Sequence, residues 1–171
     1  MKRTPLGRWL IAKDRAISAW CRRTAQGHAR RWAVLGAHLG DGWLWILVLI
    51  LEWLFVPPDR RPLVARWGIA MLLAGGITTS MKFLWRRQRP VQIGGFYSQT
   101  YDQHSFPSGH ATRMGTVVVF MPTLNPWWGW LALPIALWVA WSRVALGVHF
   151  LLDVVVGLAL GMSISLIALA V

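Results

Sequence analysis

Apolar residues run in long blocks along this chain, separated by short polar breaks. The first block extends from near Ala37 to Val56, dense from Trp43 onward, with Glu52 inside it. Pro57, Pro58, Asp59, Arg60, Arg61 and Pro62 then make a turn. A second block runs from Leu63 to about Trp85, and residues 86–110, rich in Gly, Gln and Ser, read as the longest loop. A third, short block from about Ala111 to Leu124 ends at Asn125-Pro126; a fourth runs from Trp127 to about Trp141, and a fifth from Phe150 to Val171. Crossing the hydrocarbon takes about 20 residues of helix. The pattern therefore predicts an all-α polytopic membrane bundle of about five transmembrane helices in one domain, 1–171, with its core at 37–171.

Residues 1–32 differ. Trp9, Leu10, Ile11, Ile17 and Trp20 alternate with many cations, which suits an amphipathic helix lying in the membrane interface. A solvated basic tail is the lesser alternative to this N-terminal amphipathic interfacial helix. The segment does not read as a signal peptide, because no apolar core of about 7–15 residues precedes a small-residue cleavage site. Within the last block Gly157 and Gly161 stand four apart, a small-residue face for close helix packing.

Composition supports a membrane protein and narrows its partners. Apolar residues make up 56% of the chain and charged residues only 14%, with thirteen Trp; a soluble domain carries about 25% charge. Disorder, collagen and coiled coil are excluded. The single cysteine, Cys21, allows no intrachain disulfide and no cysteine zinc cluster. The net charge of +12 is uneven: nine of eighteen Lys/Arg fall in the first 31 residues, and four more cluster at Lys82, Arg86, Arg87 and Arg89. These cations flank apolar segments rather than lining a soluble face, so anionic headgroups or a phosphorylated substrate fit better than nucleic acid.

Three polar clusters carry candidate chemistry. Lys82 and Arg89 are seven residues apart, which on a continuing helix puts both on one face. Ser105 to His110, SFPSGH, is a turn that would aim helix N-terminal N–H groups at an anion. In the third cluster, Arg143, His149 and Asp153, the last two are spaced i,i+4, so the carboxylate can hold one imidazole nitrogen. Because successive spans alternate direction, all three clusters fall at one membrane face. Flanking cations, a helix-starting turn and a satisfied buried pair would each be ordinary alone. Together they supply three cations, two histidines, a serine and a carboxylate, a phosphate pocket with a nucleophile.

These clusters resemble the signature K-x6-R-P, P-S-G-H and S-R-x5-H-x3-D of the type 2 phosphatidic acid phosphatase superfamily, matched from Lys82 to Asp153 at 82–90, 107–110 and 142–153. The superfamily includes lipid phosphate phosphatases and, on another body plan, vanadium-dependent haloperoxidases. The first 80 residues are similar only loosely, through Leu39-Gly40-Asp41-Gly42. The resemblance implies that His149 is the nucleophile of a phosphohistidine mechanism, with Asp153 fixing its tautomer. It implies that His110 is the general acid, and that Lys82, Arg89, Arg143, Ser108 and the Gly109 N–H bind the phosphate oxygens. Fixed cations then do a metal's electrostatic task, so no metal or other cofactor is expected. Arg113 is a possible fourth phosphate contact, and Asp102 and His104 are candidates for headgroup selection. The PSGHATR form with Asp102 upstream is similar to polyisoprenoid diphosphate phosphatases.

The function expected is hydrolysis of a lipid phosphomonoester or diphosphate, such as phosphatidylglycerol phosphate, phosphatidate or a polyprenyl (di)phosphate. The alternatives are a haloperoxidase-like enzyme using the same pocket, against which length and apolar spans argue, or a non-catalytic lipid-binding protein, against which the intact signature argues. The expected partners are the lipid substrate and membrane lipids, and the expected location is the inner (cytoplasmic) membrane. Five spans put the N-terminus and the site at one face, and positive-inside bias makes that face cytoplasmic.

Overall fold

The computed structural model describes residues 4–91 and 103–171. Helix α1 is Pro5–Thr24, α2 His28–Leu39, α3 Gly42–Phe55, α4 Arg61–Trp85, α5 Gly109–Leu124, α6 the single turn Pro126–Gly129, α7 Ala132–Ala145 and α8 Leu151–Ala170. No strand occurs among the described residues; Gln88 and His104 form an isolated bridge.

Local chemistry sets the boundaries. Thr4 caps α1, its Oγ1 accepting from Gly7 N, and Pro5 starts the helix where its missing N–H costs nothing. Pro58–Arg60 forms a 3-10 turn that feeds α4, which has Pro62 in its first turn. Ser108 is the N-cap of α5.

Two helical segments, Pro58–Trp85 and Leu151–Ala170, are long and apolar enough to cross a membrane. A third span results if α2 and α3, bent by 49° at their junction, are taken together. Helices α5 and α7 have 16 and 14 residues, about 24 and 21 Å at the helical rise, short of the ~30 Å hydrocarbon thickness. The stretch expected as one span from Ala37 to Val56 is broken at Gly40-Asp41 instead. That break has a physical cause: the Gly40 carbonyl accepts from Arg113 Nη1 at 2.5 Å, and the Asp41 carboxylate faces His38 and His110. The backbone gives up helical bonding where side chains of the polar end take its place. The expected fourth span is likewise divided, into α6 and α7.

Helix α5 is the axis of the bundle, packed on α8, α7 and α4. Its inner side buries Met114, Val117 and Phe120, and Phe120 stacks on Trp67 of α4 at 6.2 Å between centroids. Two polar pairs bridge this core: Trp67 Nε1 donates to Thr116 Oγ1 at 3.2 Å, and Thr78 Oγ1 to Thr112 Oγ1 at 3.1 Å. Helices α5 and α8 meet almost backbone to backbone. A Cβ at Gly157 would lie 2.6 Å from the Ser108 carbonyl, and one at Gly161 would collide with the Thr112 carbonyl. Small residues face inward while Leu72, Leu73, Leu84, Leu166 and Ile167 point outward. That inverted pattern is what a lipid solvent selects.

Candidate active site

His149 lies in the turn between α7 and α8, where Gly147 adopts φ 74°. Its ring is buried, 1% exposed. Nδ1 is 2.7 Å from the Ser105 carbonyl oxygen. A carbonyl only accepts, so Nδ1 carries the proton and Nε2 of the neutral ring holds a lone pair. Nε2 is buried without a hydrogen-bond partner among the described residues, and His149 lines the cleft described below. Burial pushes the imidazole down to about 4; the charges of Arg143, Lys82 and Arg89 push the same way, and Asp153 opposes them. The ring is therefore neutral at pH 7.

Asp153 Oδ2 stands 3.8 Å from Nδ1 of His149. Its oxygens are taken by other donors: Phe150 N at 2.8 Å on Oδ2 and Arg87 Nη1 at 2.6 Å on Oδ1. The family resemblance implies that Asp153 fixes the tautomer; the shorter contact, 2.7 Å, belongs to the backbone of Ser105. Asp153 contributes a nearby charge and a fixed first turn of α8.

His110, in the first turn of α5, points Nε2 at Asp41 Oδ1 across 3.1 Å. Asp41 Oδ2 is 2.9 Å from His38 Nδ1. The bend between α2 and α3 thus delivers a carboxylate to His110. Gly40 permits that approach, since a Cβ there would sit 2.7 Å from the His110 ring.

The remaining residues surround this pair. Lys82, in the last turn of α4, donates Nζ to the His104 carbonyl at 3.3 Å. Arg143 occupies the last turn of α7, and Arg89 follows α4; both reach His149 electrostatically. Ser108 is fully buried, its Oγ 3.5 Å from Ala111 N and its N–H donated to the Asp153 carbonyl at 2.9 Å. That last bond ties the start of α5 to the start of α8. Gly109, His110, Arg113 and Lys82 line a cleft of about 880 Å³. The cleft continues away from the histidines between α3 and α4, past Trp43, Ile46, Leu72, Gly75 and Gly76. Added Cβ atoms at Gly75 or Gly76 would meet open space. A second hollow of about 530 Å³, around Glu52, Arg60 and Trp127, lies at the opposite end of α3 and α5 and holds neither histidine. Asp102 lies outside the described residues.

A cationic cleft with one free imidazole nitrogen, in this sequence order, has relatives. Residues 63–171 match the PAP2 superfamily. The chain belongs to that superfamily. It is 34% identical over 119 residues, 68% of this chain, to a protein named putative undecaprenyl-diphosphatase YbjG of Escherichia coli, and spans 60% of that relative's length. A decaprenylphosphoryl-5-phosphoribose phosphatase of Mycobacterium tuberculosis is 36% identical over 136 residues, 77% of this chain and 73% of the relative. Among solved structures, Aquifex aeolicus LpxE aligns with TM-score 0.75 at 22% identity over 91% of this chain and 94% of that one. A transmembrane PAP2-type phosphatidylglycerolphosphate phosphatase of Bacillus subtilis aligns at 0.73 and 24% identity, over 94% and 85%. The protein is an integral membrane PAP2 protein with an all-helical fold.

Four PAP2-site neighbours escaped the sequence reading: Asp14, Ser18, Asp41 as a partner of His110, and the Ser105 carbonyl. A usable signal existed for two, Asp14 and Asp41. The chain has six acidic residues against eighteen basic ones, and Asp14, Asp41 and Asp153 are three of the six. Scarce carboxylates in a basic chain are worth locating first.

Proposed function

We propose that this PAP2 protein is a lipid phosphate phosphatase that works through a phosphohistidine on His149, without a metal. The observation that carries this reading is the buried Nε2 of His149, without a hydrogen-bond partner among the described residues in a ring that lines the cleft, while Nδ1 is tied to Ser105. Nε2 attacks phosphorus and the bond to the leaving oxygen breaks. His110, supported by Asp41, gives that oxygen its proton. Water then attacks the phosphohistidine while His110 takes a proton from it, releasing inorganic phosphate and the free imidazole. Lys82, Arg89 and Arg143, with the N–H groups at the start of α5, offset the charge on the equatorial oxygens. Arg113 adds to this field, although one of its nitrogens serves Gly40.

The substrate proposed is a phosphomonoester or diphosphate on a long apolar tail. Its phosphate lies by the histidines, and its tail follows the cleft between α3 and α4 past Gly75 and Gly76. The names of the E. coli and M. tuberculosis relatives favour a polyprenyl carrier over a diacylglycerol one. The reading further takes the chain to cross the inner membrane five times, with α1 on the surface and the site facing the cytoplasm.

A phosphate-release screen in detergent, comparing polyprenyl phosphate and diphosphate, phosphatidate and phosphatidylglycerol phosphate, tests it. Release from at least one lipid, abolished in His149→Ala, is expected. Gly76→Leu should slow long-tailed substrates more than a tailless phosphomonoester. No release from any lipid would end the proposal.

A further inference from the structure

Helix α1 is exposed over most of its length, yet its one carboxylate is buried. Asp14 is 3% exposed, between the exposed Lys13 and Arg15. Both of its oxygens are engaged: Oδ1 accepts from Leu152 N at 2.9 Å, and Oδ2 from Arg87 Nη2 at 2.5 Å. Ser18, one turn further along α1, accepts from Leu151 N at 3.0 Å. Asp153 itself accepts from Phe150 N. The first N–H groups of α8, orphaned in any helix, thus have three side-chain acceptors, two of them supplied by α1. They belong to the residues that directly follow His149.

Arg87 links the two carboxylates. One nitrogen goes to Asp14 and the other to Asp153, and the guanidinium lies over the Phe150 ring at 4.1 Å. Two carboxylates share one cation, so the trio carries a net charge of −1. Without Asp14, Arg87 would cancel Asp153. With it, one negative charge remains beside the imidazole, which turns positive as Nε2 bonds to phosphorus while Nδ1 keeps its proton.

We propose that Asp14 is a positioning residue for the nucleophile, acting through Arg87 and the first turn of α8, so that the N-terminal surface helix is part of the catalytic apparatus. This rests on His149 being the nucleophile. Asp14 touches neither substrate nor reacting atoms; its effect falls on the step that forms the phosphohistidine, not on the capture of phosphate.

The test uses the full chain in detergent micelles with a short-tailed lipid phosphate. Asp14→Asn should lower kcat by about 10-fold or more, the scale of loss known for outer partners of metal-ligating histidines. KM and the inhibition constant of inorganic phosphate should stay within about threefold. Asp14→Glu should recover part of the loss, and Arg15→Ala, on the exposed side of α1, should match wild type. Combining Asp14→Asn with Arg87→Gln should cost much less than the product of the two single losses, because both break one link. If Asp14→Asn does not accumulate as folded protein, Ser18→Ala and Asp14→Glu carry the same comparison of kcat with phosphate inhibition. Wild-type kcat in the folded variants, or phosphate binding weakened in step with kcat, would overturn the proposal while leaving the His149 reading intact. An inactive wild type would sink both.

Discussion

The imidazole of His149 donates Nδ1–H to the main-chain carbonyl of Ser105 at 2.7 Å. The tautomer of this ring is therefore set by a backbone group, held in place where the SFPSGH turn runs into α5. A backbone acceptor cannot be deleted by substitution, and it carries no charge to raise the imidazole's basicity. Burial, together with the cations around the ring, keeps it neutral at pH 7.

His149→Ala should lower turnover by about 10⁴-fold or more, the scale seen when a covalent nucleophile is removed. Inorganic phosphate should still bind, since Lys82, Arg89 and Arg143 remain. Rapid denaturation at alkaline pH, where the P–N bond survives, should trap labelled phosphohistidine in the wild type and none in the variant. Turnover near the wild-type rate would show that another group attacks phosphorus.

The pH dependence has a defined sign. An ordinary histidine titrates near 6.5, whereas His149 is pushed down to about 4. The neutral, attacking form is therefore fully present at pH 7 and is lost only as pH falls through about 4. The acid limb of kcat/KM should lie well below 6.5. Between 6.5 and 4 the unfolded chain takes up a proton that folded His149 refuses, so this group makes stability fall as pH drops through that window. Rate profiles and thermal melts across that range check both; an acid limb centred at 6.5 contradicts the burial argument.

Asp41→Asn removes the carboxylate behind His110. Proton donation to an alkoxide leaving group should suffer by about 100-fold, within the range of general acid catalysis. A substrate with a good leaving group, such as p-nitrophenyl phosphate, needs no such proton and should lose far less. Equal losses on both substrates would place Asp41 outside acid catalysis.

Activity should survive excess chelator, because fixed cations neutralise the phosphate. Vanadate should inhibit by occupying the same oxygen sites in trigonal-bipyramidal geometry. Loss of activity with chelator, restored by magnesium, would refute the metal-free scheme.

Sidedness is tested by single cysteines at Gln26 and Asp59 in a Cys21→Ser background. A cytoplasmic active site requires that an impermeant reagent outside intact cells label Asp59→Cys and spare Gln26→Cys. The reverse pattern inverts the orientation.

The parts of this fold that sequence reveals are those written in residue type. The ends of α4 and α8 follow Pro57 to Pro62 and the apolar runs, and Lys82, His110, His149 and Asp153 stand out as polar groups among apolar neighbours. The break at Gly40-Asp41 was hidden because its cause is distant: Arg113 and His110 lie about 70 residues away along the chain. Asp14 was hidden because a single acid in a basic amphipathic helix looks solvated until α8 is laid against it. The Ser105 carbonyl has no residue-type signal at all.

Gly157 and Gly161 act as a gauge block for the site. They sit against the main chain of Ser108 and Thr112, so backbone contact, with the Ser108 N–H bond to the Asp153 carbonyl, sets the gap between the helix that begins beside His110 and the helix that begins beside His149. A methyl at Gly161, about two turns from Asp153, would be a wedge at that seam, and the two starting turns would spread like the jaws of a caliper. The spacing of the two starting turns is thereby set along the seam, in two places where the side chain is a hydrogen.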